Sequence, residues 1–179
     1  MIDGNTISEE FIKCYTDKTR IYMIENYFKT YDATQRKEVQ YKLFPRQKDF
    51  CVLLSSRQDT LVKKSRQAGI TTTASAYLAC EAVLADPESP VTVLAIGNTL
   101  DLAQQFVTKI RDFVNQLPRW FFGEEYWSPD EKSPKNKKPI FLVSNSKELK
   151  LCNGSRVICR SSGEDASRGV GKQHCRLVA

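Results

Sequence analysis

The stretch "KKSRQAGITTTAS", Lys63–Ser75, decides how the chain is read, because it joins a short apolar run to alanine-rich sequence through a single glycine. Before it, "TLVKK" (60–64) has the make-up of a first core strand, although it is short. After it, Thr72 to Leu84 reads as a helix whose Ala74, Ala76, Ala79 and Ala82 make it slim enough to pack closely on a sheet. A strand, a glycine turn and a helix form the setting of a phosphate-binding loop, GxxxxGK[ST], in which backbone N–H groups surround the phosphates. Aligning the second glycine of that pattern on Gly69 puts Lys64 at the first glycine position, Ile70 at the lysine position and Thr71 at the magnesium-side hydroxyl. The glycine and the threonine fit, and Ile70 does not. Lys63, Lys64 and Arg66 crowd the turn, and Lys64 or Arg66, folded back, would restore positive charge beside a helix N-terminus that already favours an anion. The plainer reading is that Thr71, Thr72 and Thr73 cap the helix and the cations are solvated. The stretch by itself leaves both open.

Outward from it, the pattern is that of an α/β protein. "ADPESP" ends the alanine-rich helix, and "VTVLAIG" (91–97) is a nearly continuous apolar run, as in a parallel strand covered on both faces. Leu102, Phe106, Ile110, Phe113 and Leu117 then form one helical face, closed by Pro118. This alternation predicts a mainly parallel sheet flanked by helices. Upstream, Ile21, Ile24, Tyr27, Phe28 and Tyr31 recur at offsets of three and four, which predicts a helix across "DKTRIYMIENYFKTYD". "FPRQKDFCVLLSSR" follows as a second helix, with Gln47 in its first turn and Phe50, Leu53 and Leu54 buried. Downstream, "WSPDEKSPKNKKP" is a loop, a solvated excursion or a contact for phosphates or a neighbouring subunit. "IFLV" and "ELKLCNGSRVICR" supply strands, and Asn153-Gly154 marks a hairpin. "SSGEDASRGVGKQ" is a glycine-bearing loop, and "CRLVA" is an apolar strand with no cap after it, as if the chain were cut there.

The composition is that of a soluble protein, with 179 residues, 41% hydrophobic and 27% charged, which allows a core about one domain in size. A net charge of +6 and a pI near 9.0 favour polyanionic partners. No apolar run is long enough to span a bilayer, and "MIDGNTISEE" lacks the regions of a secretory signal, so an intracellular site with no membrane partner is expected. The cysteines form no CxxC pair and read as reduced thiols, with Cys80 in a helix and Cys159 in a strand. His174 and Cys175 are adjacent, and neighbours on a strand point to opposite faces, which argues against a catalytic dyad.

"KSRQAGITT", preceded by "FPRQKDF" and followed by "VTVLAIGNTLDLAQQFVTKIRDFVNQLP", resembles the N-terminal ATPase domain of the large terminase subunit of tailed bacteriophages. The resemblance extends upstream to "IYMIENYFKTY" and downstream through "GSRVICRSSGEDASRGVG" to the final strand, so it covers most of the chain. It implies a P-loop NTPase-type fold, with a helical lead-in over 1–43 and a partial ATPase domain over 44–179. It implies ATP and magnesium as ligands, with Gln47 on the adenine. A variant phosphate loop would run through Lys64, Ser65, Arg66, Gln67, Ala68, Gly69, Ile70, Thr71 and Thr72. In that loop Arg66 is the prominent basic residue, Thr71 the magnesium-side hydroxyl, and Lys64 or Arg66 the contact to the β and γ phosphates. Arg168, in "ASRGVG", matches an Arg-Gly element that can serve as an arginine finger, so Arg66 and Arg168 are the candidate catalytic residues.

The family's acidic pair follows the strand matching "CRLVA", and the chain stops at Ala179. Hydrolysis by these 179 residues alone is therefore expected to be negligible, and an exposed apolar edge is expected to favour association. The full-length relative would move double-stranded DNA into a procapsid in the host cytoplasm. It would do so as a ring on the portal protein, with the small terminase subunit as a further partner. A helicase-like translocase is the runner-up, against which Ile70 argues. A truncated, non-catalytic module binding nucleic acid or a protein partner is the third reading.

Overall fold

A computed structural model describes residues 4–32, 34–63, 68–123, 126, 138–162 and 175–178. The chain opens with α1 (Gly4–Thr16) and α2 (Ile21–Tyr27), a small hairpin of β1 (Lys29–Asp32) and β2 (Lys37–Gln40), and α3 (Pro45–Ser55). Then come α4 (Ile70–Val83), β3 (Thr92–Gly97), α5 (Leu100–Gln116), a 3-10 turn over Arg119–Phe122, and β4 (Phe141–Ser144), β5 (Glu148–Leu151), β6 (Arg156–Ser161) and β7 (Cys175–Val178). The larger sheet has the order β4-β5-β6-β3-β7. The fold is thus α/β, as the alternation of apolar patterns predicts.

The sheet is mixed, which corrects the expectation of a mainly parallel one. β3 lies parallel to both β6 and β7, whereas β5 is antiparallel to β4 and β6. Short connections impose this: three residues join β4 to β5 and four join β5 to β6, far fewer than a parallel crossover needs. At the β5–β6 turn Gly154 donates its N–H to the Leu151 carbonyl and has φ +87°, a conformation that favours glycine. The hairpin signal in Asn153-Gly154 is therefore borne out, with the turn centred on Cys152 and Asn153.

α4 is buried from Thr73 to Val83, and its alanines let it sit between the N-terminal helices and α5 without forcing them apart. One core joins Cys14, Met23, Phe28 and Leu43 of the lead-in to Tyr77, Val93, Ile110, Leu149 and Val157, so the described part of the lead-in packs into the same body as the rest. Cys80 and Cys159 lie in α4 and β6 as expected, and Cys14, Cys51, Cys80, Cys152 and Cys159 are free thiols.

Four further expectations need correction. The helical stripe across Ile21–Tyr31 stops at Tyr27, because the Phe28 carbonyl turns outward to accept the Tyr41 N–H and the chain enters β1, leaving Tyr31 exposed. α3 buries Gln47, Phe50 and Cys51, a face at offsets of three and four that leaves Leu53 half exposed. On α5 the buried face begins at Ala103, so Leu102 lies outside it, 55% exposed. Thr60–Lys63 is not a strand: Leu61 is 99% exposed, and no described strand runs beside it to supply a ladder. The loop reading of 127–137, and all of 163–174 including Arg168 and His174, lie outside the described residues.

No helix among the described residues is long and apolar enough to cross a membrane.

Candidate functional site

The turn into α4 is built on two residues far apart in sequence. Gly69 precedes the helix with φ +70°, a left-handed conformation in which a side chain would be strained. Gln47, 5% exposed in the first turn of α3, accepts the Phe44 N–H on Oε1 at 3.0 Å and donates from Nε2 to the Ala68 carbonyl at 3.2 Å. A Cβ on Gly69 would stand 2.5 Å from that Nε2, so a side chain here would have to displace the Gln47 amide as well as adopt a strained backbone. Gln47 therefore braces the carbonyl side of the turn. Its amide keeps one N–H and one lone pair beyond those two bonds.

The three threonines after Gly69 have different environments. Thr73 is fully buried, its hydroxyl bonded back to the Gly69 carbonyl at 3.1 Å and paired with the Tyr41 hydroxyl at 2.8 Å. Thr72 is partly buried, with its Oγ1 3.5 Å from the ammonium of Lys109 on α5. Thr71 is exposed. None caps the helix: Gly69 is the cap residue and carries no side-chain acceptor, which removes the plainer reading in which these hydroxyls close the helix end. The first backbone bond of α4 runs from the Thr73 N–H to the Gly69 carbonyl. The N–H groups of Ile70, Thr71 and Thr72 precede it and have no partner among the described residues. No acidic residue lies in this first turn. α5, by contrast, starts with the Thr99 hydroxyl accepting the Leu102 N–H and with Asp101 in its first turn.

Beside this turn lies a cleft of about 650 Å³ between the 60–62 segment, the start of α4, the C-terminal end of β3 and the first turns of α5. Its wall includes Ile70, Thr71, Gly97, Asn98, Gln105 and Lys109. A ligand at the carboxyl end of a parallel strand, facing helix N-termini, is the usual arrangement in open α/β sheets.

Of the residues expected from sequence, the structure brings together Gln47, Ala68, Gly69, Ile70, Thr71 and Thr72. Lys64, Ser65, Arg66 and Gln67, and also Arg168, lie outside the described residues. The donor set that is described suits an anion. For magnesium it offers the Thr71 hydroxyl as one ligand beside waters and phosphate oxygens, and the cleft wall carries no carboxylate among the described residues. Lys109 was not legible as a site residue, because no motif marks it and its approach to Thr72 crosses two helices.

No protein-family model matches the chain, and neither does any curated protein.

Proposed function

We propose that the chain is the N-terminal part of a large terminase subunit that binds ATP with magnesium at the turn into α4. In the full-length protein this site would power movement of double-stranded DNA into a procapsid. The observation that carries the reading is the bracing of Ala68 and Gly69 by Gln47. A phosphate loop of P-loop type needs a rigid glycine turn ahead of free helix N–H groups, and this contact supplies the rigidity.

On this reading, the N–H groups of Ile70, Thr71 and Thr72 receive phosphate oxygens, and the Thr71 hydroxyl faces the bound magnesium. Lys64, Ser65, Arg66 and Gln67 complete the cradle, with Lys64 or Arg66 on the β and γ phosphates. The remaining amide valences of Gln47 read a base edge, and Arg168 approaches the γ-phosphoryl group as an arginine finger. Bound at this site, magnesium would be held by the Thr71 hydroxyl and would offset phosphate charge. The portal protein, the small terminase subunit, a ring of like subunits and the host cytoplasm belong to the same proposal.

The test is a titration of a fluorescent ATP analogue with magnesium against the wild type and Arg66→Ala. Loss of one charge-assisted contact should weaken binding by about tenfold. Equal binding by the two proteins would remove the loop assignment, and no binding by either would remove the nucleotide reading.

A further inference from the structure

Lys109 carries a second assignment at this cleft. Its ammonium, half-buried on the wall between α4 and α5, has the Thr72 hydroxyl as its hydrogen-bond partner at 3.5 Å and no carboxylate partner among the described residues. A hydroxyl dipole does not neutralise a charge, so the ammonium at the cleft wall keeps donor capacity for an anionic ligand. Thr72 is the third residue of α4, so the ammonium reaches the turn whose first N–H groups have no partner among the described residues. Positive charge from the side chain and positive helix-end potential thus meet at one cleft, and the described carboxylates leave both uncompensated.

We propose that Lys109 is a phosphate-contacting residue of this cleft, supplying from the neighbouring helix the cation that Ile70 does not supply from within the loop. The ligand class is a nucleotide with a polyphosphate chain, whose outer phosphates rather than whose base meet Lys109. The proposal rests on the nucleotide reading above.

The experiment is a titration of fluorescent ATP and fluorescent AMP, each with magnesium, against the wild type, Lys109→Met and Lys109→Arg, with thermal unfolding as the check on folding. Lys109→Met should weaken ATP binding by about tenfold and leave AMP unchanged, and Lys109→Arg should recover most of the ATP affinity. If Lys109→Met lowers the unfolding temperature sharply, Lys109→Gln, which keeps a polar end beside Thr72, takes its place with the same expectation. Binding of ATP by the wild type together with an unchanged affinity in the Met or Gln variant would overturn this proposal and leave the nucleotide reading standing. Equal losses for ATP and AMP would overturn it too, since they would mark a structural role. Failure of the wild type to bind either nucleotide would overturn both.

Discussion

Gln47 and Gly69 occupy nearly the same space: the Gln47 Nε2 lies 2.5 Å from the position a Cβ on Gly69 would take, while donating to the Ala68 carbonyl next to it. Gly69→Ala therefore meets two obstacles, a left-handed backbone costing about 1–2 kcal/mol and a collision with a buried amide. Gln47→Ala loses two hydrogen bonds and leaves the Phe44 N–H and Ala68 carbonyl to find other partners, a cost of about 1–3 kcal/mol. In the double variant the collision disappears and the backbone strain stays. The double variant should thus be more stable than the sum of the single losses allows, as measured by urea unfolding in a double-mutant cycle. Strict additivity would show that Gln47 swings away freely.

Arg20 and Glu81 form a second relationship of this kind, with Nε 2.7 Å from Oε1 and side chains 13% and 8% exposed. Arg20 also donates to the carbonyls of Cys14, Tyr15 and Asp17, which ties α1 and the turn before α2 to the buried middle of α4. Arg20→Ala removes the guanidinium from beside the buried Glu81 carboxylate together with three carbonyl contacts and should cost about 3–5 kcal/mol. Lys at this position should not rescue, since a point charge cannot serve Nε and NH1 partners together. Denaturant midpoints for Arg20→Ala and Arg20→Lys test this, and a near-native Lys variant would refute it.

Asn153 serves a helix as well as its own turn. Its Nδ2 donates to the Ala82 carbonyl at 2.9 Å and also reaches those of Val83 and Ala85, so the β5–β6 turn closes the C-terminal end of α4. Asn153→Asp cannot donate and brings negative charge to the negative end of the helix, so it should be the more damaging change. Asn153→Ala should cost about 1 kcal/mol and Asn153→Asp more, in thermal unfolding at neutral pH. The reverse order would assign Asn153 to the turn alone.

Glu25 gives a pH signature. Burial pushes its carboxyl up, but the Lys48 ammonium and the Leu43 N–H outweigh that, and its pKa lies below the ordinary value. A depressed folded pKa adds stability above the unfolded value, near 4.3, and that stability is lost as pH falls through the folded value. Glu25→Gln should therefore lower the unfolding temperature at pH 7 and converge on the wild type in acid. A gap that stays constant from pH 7 to pH 3 would rule this out.

Burial pushes the Cys14 and Cys51 thiols up to about 12 and raises Cys80 well above its ordinary value. Only the thiolate is alkylated, so at pH 8 these three should resist iodoacetamide in the native state and react in urea. Mass spectrometry of the native digest checks this, and rapid native labelling of Cys51 would show that α3 opens.

Local pattern carried the reading of α4, α5, β3 and the β5–β6 hairpin, since each has an apolar period or a turn residue that acts within a few positions. It misled at Tyr27–Tyr31, where a spacing of three and four ran on past the real helix end. There a hydrogen bond between the Phe28 carbonyl and the Tyr41 N–H outweighed the local preference. It misled again at Leu61, because β composition makes a strand only when a neighbour provides a ladder.

The candidate site divides in the same way. The order of a glycine, a threonine run and a helix was written in the sequence by itself, as was the presence of Gln47 upstream. Tertiary structure alone decided that Gln47 braces Gly69, that Thr73 is internal while Thr71 is exposed, and that Lys109 comes to Thr72. Sequence periodicity records which way a residue faces along its own element. Contacts between residues 22 or 37 positions apart depend on how those elements pack, and that is settled only when the core closes.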